Sequence, residues 1–227
     1  VAITVEGANI MTRTLMVFGQ GATRCHPYAY QVVQAVEQED VPAFRRNLLG
    51  WIWQFLSGLV MTLVHGLTRG HVTVRTPDVA PETRHWYRRL GWSASRFGLL
   101  TNLAMFLISG KLKVRGNLTG RYADALAWMI LAMSALRRYE AEGRRREDLP
   151  LLDYACRHAL HQVQVAFEGI YSNFGGPLGW LLGTVGRAWL ALNPIALPPG
   201  DDHSRAAART MQRFDDQYRR LNQDNFL

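Results

Sequence analysis

Glu6 and Gly7 stand side by side near the start of the chain, with Arg13 following in the same segment. The pair lies in a short polar break, and an apolar helical pattern follows at once through Ile10, Met11, Leu15, Met16 and Phe18. A carboxylate beside a glycine, on a loop that feeds a helix, can be held in one place and kept partly dry. Desolvation moves a carboxyl group toward the range in which a general base works best. Taken by itself, a Glu-Gly pair is more often a solvated turn. Cys25-His26 suggests a metal, but two adjacent ligands with no second pair at metal spacing make a poor site. His158 and His161 share a helical face and lack carboxylate or Cys companions, so they read as structural or surface residues and no metal site is expected. There is no phosphate-cradling GxxxxGK[ST], no dinucleotide-binding GxGxxG and no internal repeat.

The elements that must position these residues read as helices. Residues 9–20 form one, with Ile10, Leu15, Val17 and Phe18 apolar and Gly19 and Gly21 expected to end it. Pro27 opens another that runs to about residue 38, and Asp40 with Pro42 starts a third. Residues 47–68 carry no charge and are long enough for a bilayer core. Asn47, Gln54, Ser57, Thr62 and His65 favour instead a buried helix or a membrane-facing hairpin, with His65 a hydrogen-bonded core histidine. Gly50, Gly58 and Gly66 would let another helix approach closely. A connector follows at 70–81, where Val72 and Val74 could make a short extended piece. From Glu82 the pattern resumes through Leu107, and Arg84, Arg88 and Arg89 read as a solvated face or a phosphate-facing one. After a basic turn at 110–116, Thr119 is expected to cap a long helix. Leu151 to Asn173 form its antiparallel partner across a charged link. Gly175-Gly176-Pro177 breaks the pattern before a short apolar helix, a proline-rich arm at 193–200 and a charge-alternating tail. The fold class is all-α, a bundle of long helices.

The chain has 227 residues, enough for a substantial core. A net charge of +8, nearly all from arginine, favours anionic partners such as anionic lipid or a nucleotide-bearing thioester. No nucleic-acid module accompanies that charge, so nucleic acid is not expected as a partner. Two cysteines, Cys25 and Cys156, imply no disulfide framework and suit a reducing compartment. The opening Val-Ala-Ile-Thr has no signal-peptide pattern, and a C-terminal piece of something longer is expected.

The stretch Thr4-Val5-Glu6-Gly7-Ala8-Asn9-Ile10-Met11-Thr12-Arg13 resembles the catalytic-base segment of acyl-CoA dehydrogenases. Phe18-Gly19-Gln20-Gly21-Ala22-Thr23-Arg24-Cys25-His26-Pro27-Tyr28 is similar to the large bacterial long-chain branch, which carries an extra helical C-terminal region. Ser109-Gly110-Lys111-Leu112-Lys113 and Leu118-Thr119-Gly120-Arg121-Tyr122-Ala123-Asp124 also resemble that region. The resemblance implies that Glu6 is the catalytic base, that Gly7 lets the thioester lie against the backbone, and that Ala8, Asn9 and Ile10 border FAD. Ala8 departs from the usual threonine, so a hydroxyl contact to the cofactor is missing. Arg13 would help order the flavin environment; as a residue it reads equally as a surface or core-edge arginine.

The reaction implied is FAD-dependent conversion of fatty acyl-CoA to trans-2-enoyl-CoA in fatty-acid β-oxidation. Implied partners are the acyl-CoA substrate, an electron-transfer acceptor protein and a second copy in a homo-oligomer; the residues themselves, not the resemblance, leave a membrane surface open as a further one. The expected location is cytoplasmic, with association to the bacterial inner membrane left open. Residues 1–38 would be the tail of the dehydrogenase's helical domain, with the catalytic-base loop, and 39–227 the additional helical domain. The fragment alone is expected to be inactive. The alternative from another class is a non-enzymatic helical module that docks on a membrane surface or a partner.

Overall fold

A computed structural model describes residues 2–72, 78–213 and 215–223. Helix α1 (Ala2–Met11) runs directly into a π-helical stretch (Thr12–Gln20), and that into α2 (Gly21–Cys25). The polar break expected at Glu6-Gly7 is therefore helical, and Gly19 and Gly21 do not end the helix. The glycines instead admit the wider turn: the Gly21 N–H reaches the Met16 carbonyl five residues back. A Cβ on Gly21 would lie only 3.2 Å from that same oxygen. The stop comes at His26, whose extended ψ of 133° is what a residue before proline adopts. The His26 ring then begins the next helix, α3 (Ala29–Glu37), with Nδ1 accepting the N–H groups of Tyr28 at 3.1 Å and Ala29 at 3.0 Å.

Asp40 caps α4 (Val41–Thr68) as expected, accepting the Ala43 N–H at 2.9 Å, with Pro42 in the first turn. The helix ends on two positive-φ residues, Arg69 and Gly70. Gly70 also abuts α5 (Arg84–Leu107), and any Cβ there would come within 2.7 Å of the Arg88 carbonyl. Three hydrogen bonds fix α4 on α5. The Trp51 indole donates to Asn102 at 2.8 Å, Thr62 donates to the Ser95 carbonyl at 3.0 Å, and His65 Nδ1 pairs with the Ser95 hydroxyl at 2.9 Å. His65 is thus the hydrogen-bonded, buried histidine that was expected. The helix itself is not a core helix: only His65 and Gly66 are buried, and most of its apolar residues are exposed. Among the described helices it is the one long and apolar enough to cross a membrane. Of its spaced glycines, Gly50 receives the Tyr28 ring and Gly66 lies beside Trp189, while Gly58 faces open space. The connector's Val74 and Pro77 lie outside the described residues.

A 3-10 turn (Ser109–Val114) leads to α6 (Gly116–Ala141). Thr119 lies inside the first turn of α6 rather than capping it, and its hydroxyl bonds back to the Gly116 carbonyl at 3.1 Å. α7 (Leu149–Asn173) returns beside α6 across the charged link, and the two form the centre of the interior. Tyr122, Leu136, Leu160, Val163, Phe167 and Ile170 are fully buried there, joined from α5 by Trp92, Leu100 and Ala104. Leu152, Ala159, Val163, Phe167 and Ile170 face inward as their spacing predicts, whereas Ile130 and Met133 of α6 are exposed. Arg96 is buried in this interior between the faces of Trp92 (5.1 Å) and Phe167 (5.9 Å), where burial lowers its pKa.

The short helices α8 (Gly176–Leu181) and α9 (Arg187–Leu192) are linked by a π turn. Gln164 of α7 ties the proline-rich arm down, accepting the Ile195 N–H at 3.1 Å. α10 (Asp201–Met211) packs on α7, and α11 (Asp216–Asn222) is anchored by Arg220, which donates to both oxygens of buried Asp148 at 2.7 Å. No strand occurs among the described residues, and the class is all-α as expected.

Candidate functional site

The N-terminal helix is attached to the body by residues of the segment Leu118–Asp124. Phe18 stacks face to face on Tyr122, with ring centroids 4.1 Å apart and planes at 8°, and Phe97 meets Phe18 edge-on at 6.2 Å. The Tyr122 hydroxyl donates to the Leu100 carbonyl at 2.9 Å, and burial raises its pKa, so it remains a neutral donor. About one turn before Phe18, the Arg13 guanidinium grips the Asp124 carboxylate through Nε and NH2. That pairing raises the Arg13 pKa. Gly120 leaves room for the grip: a Cβ there would sit 3.2 Å from the guanidinium carbon. Thr14 packs over Gly116 in the same manner one turn away. The glycine pair at 116 and 120 is thus a seat for the π-helical continuation of α1. Of the two sequence readings of Arg13, the structure supports a core-edge arginine that positions a helix.

Glu6, Gly7, Ala8, Asn9 and Ile10 lie together on α1, and all are exposed. A Cβ on Gly7 would meet nothing within 4 Å. Ile10, Met11 and Met16 are each more than half exposed, so the helix presents an apolar flank beside the carboxylate. As the fifth residue of α1, Glu6 directs its backbone N–H along the helix. Ala8, Asn9 and Ile10 offer apolar surface and a single amide on exposed faces of α1, and no phosphate cradle. These five residues line none of the cavities of the body formed within residues 135–222, 19–113 and 82–206.

The other sequence candidates are structural. His26 is buried, with Nε2 on the Asn102 amide oxygen at 3.1 Å, and the same oxygen accepts from Trp51. His158 packs edge-on to Trp128 at 5.2 Å. Among the described residues no group of three or more His, Cys, Asp or Glu could hold a metal. Arg89 is not a solvated cation: it donates to the Ile195 carbonyl at 2.9 Å and lies over Trp86, which Arg157 also approaches.

Sequence reading missed a cleft of about 670 Å³ between the N-terminal segment and the turn at 109–114. Arg24, Tyr30, Trp51, Ser109 and Lys113 line it, and Glu37 is its sole carboxylate. The basic turn was visible in the sequence, but its apposition to Arg24 needs the fold.

Residues 23–227 match the family described as acyl-CoA dehydrogenase, C-terminal, bacterial type. No solved structure matches the chain.

Proposed function

Because this chain belongs to the bacterial-type acyl-CoA dehydrogenase C-terminal family, we propose that it is part of an FAD-dependent enzyme that oxidises fatty acyl-CoA to trans-2-enoyl-CoA in β-oxidation, with Glu6 as its base. The observation that carries the reading is the mounting of α1: the helix bearing Glu6-Gly7 runs directly into a π-helical stretch that Arg13–Asp124 and Phe18–Tyr122 lock onto the part of the chain that defines the family. A carboxylate held there is fixed relative to the body, as proton abstraction from a precise carbon requires.

The α-hydrogen of a thioester is weakly acidic, so its removal needs a positioned base and donors that strengthen their hold on the carbonyl oxygen as charge develops. Glu6 takes the α-proton, and the electrons of that C–H bond form the new double bond as hydride leaves the β-carbon. FAD supplies the hydride acceptor. Open space over Gly7 lets the thioester lie along the backbone, while Ile10 and Met11 exclude water from one side. If the Glu6 N–H also donates to the thioester oxygen, the first turn of α1 must open, since in the helix that N–H is directed along the axis.

The test is Glu6→Gln in the flavoprotein that contains this chain. The expected loss in kcat is about 10²- to 10⁴-fold, the range of general-base catalysis, with the flavin absorbance spectrum unchanged. Retained activity with an unaltered pH–rate profile would reject Glu6 as the base.

A further inference from the structure

We propose that the outward face of α4, continued by α8–α9, lies in the headgroup region of an anionic lipid bilayer, parallel to the surface. Leu49, Trp53, Leu56, Val60, Leu63 and Leu67 recur at steps of three and four, so they form one stripe along α4, and all six are exposed. Trp53 and Leu67 are each 72% exposed. A patch of that length on a free surface marks an interaction site. A second apolar element lies beside it: the Asn193 amide donates to the Gly66 carbonyl at 2.7 Å, and Trp189 packs over Gly66. That element exposes Trp180, Val185 and Leu192 as well.

Charge identifies the occupant. The chain has 18 carboxylates, yet none falls between Val41 and Pro77 or between Gly169 and Gly200. The exposed charges on these elements are Arg45 and Arg46, one turn before the stripe, Arg69 just after it, and Arg187 on α9. A second copy is a poor fit. Antiparallel pairing of two α4 helices would set Arg45 and Arg46 against Arg69, and parallel pairing would set them against themselves, with no acid within either helix and the nearest at Glu37, Glu39 and Asp40 before it begins. Anionic headgroups compensate every one of these charges, and each arginine near such a surface is worth about fivefold in partitioning. Tryptophan at the same level is the side chain such an interface favours.

The orientation follows from the other side of the helix. Trp51, Thr62 and His65 bind α4 to α5, which carries Arg84, Arg88, Arg89 and Arg96. Arg89 and Arg96 are enclosed by the protein, but crossing the bilayer would bring exposed Arg84 and half-buried Arg88 toward hydrocarbon, so α4 rests in the interface and does not span. This inference stands apart from the flavin reading, and either can fail without the other.

The experiment is co-sedimentation of the 227-residue chain with vesicles of phosphatidylcholine containing phosphatidylglycerol, and with phosphatidylcholine alone. Binding to the anionic vesicles is expected, weakened by added salt. Leu56→Glu with Val60→Glu should weaken it at least about tenfold with the far-UV circular dichroism unchanged, because both side chains point outward. Arg45→Glu with Arg46→Glu should remove the preference for the anionic vesicles. Absence of binding, or binding that neither pair of substitutions alters, overturns the proposal. A concentration-dependent dimer that Leu56→Glu with Val60→Glu dissolves would assign the face to a second copy and overturn it too.

Discussion

At His26 one side chain joins three helices: its ring caps α3 through two backbone N–H groups and meets Asn102 of α5, which also holds Trp51 of α4. The geometry uses the neutral ring, with Nδ1 accepting and Nε2 donating. Burial accordingly lowers the His26 pKa below its ordinary 6.5, against the opposing pull of Asn102. Between those two pKa values the unfolded chain takes up the proton and the native chain does not. Stability is therefore complete above 6.5, falls as pH drops below it, and levels off once the folded pKa is passed. Urea midpoints should decline between pH 7 and pH 5.5, and His26→Gln should flatten part of that decline. His85, whose pKa burial also lowers, supplies a further part of it. An unchanged slope in the variant would show that His26 does not titrate with folding. The sequence suggested a metal at Cys25-His26 and gave reason to discard it. The capping role was not legible, because it depends on Asn102, far along the chain.

For the N-terminal helix, magnitudes decide which contact holds it. Arg13–Asp124 is half exposed on the arginine side, and such pairs contribute about 0–1 kcal/mol. Phe18 is 2% exposed and stacked on Tyr122, and truncating a buried phenylalanine costs about 3–5 kcal/mol. Phe18→Ala should therefore destabilise the chain several-fold more than Arg13→Ala. Arg13→Ala should instead raise hydrogen exchange selectively in α1 while the midpoint of global unfolding barely moves. Equal effects of the two substitutions would refute this division of labour. The recognisable segment Leu118–Asp124 gains a physical reason from the same contacts: Gly120 leaves room for the guanidinium, Tyr122 carries the stack and Asp124 takes the charge. The local conformation of Glu6-Gly7 was misjudged because a glycine beside polar residues signals a turn. Helical propensity is a weak prior, and a helix docked downstream propagates back through it.

Across the whole molecule, residues on both sides of position 38 pack into one interior. Phe18 and Ala29 share a single buried cluster with α5, α6 and α7. Unfolding followed by tryptophan fluorescence and by far-UV circular dichroism should therefore give coincident transitions. A separate early transition confined to residues before 38 would show the N-terminal segment to be an independent unit.

The amino-acid sequence by itself determined the helical class, the α6–α7 pair and the capped start of α4, because these follow from local periodicity and from caps a few residues away. The family was also readable from segments within residues 23–227, such as 109–113 and 118–124, since likeness needs only residue order. Tertiary structure alone decided which face of α4 is covered. Residues 47–68 are apolar nearly all round, so no periodicity marks an inner side. The choice rests on long-range bonds from Trp51, Thr62 and His65 to α5, and these leave the leucines and Trp53 outside.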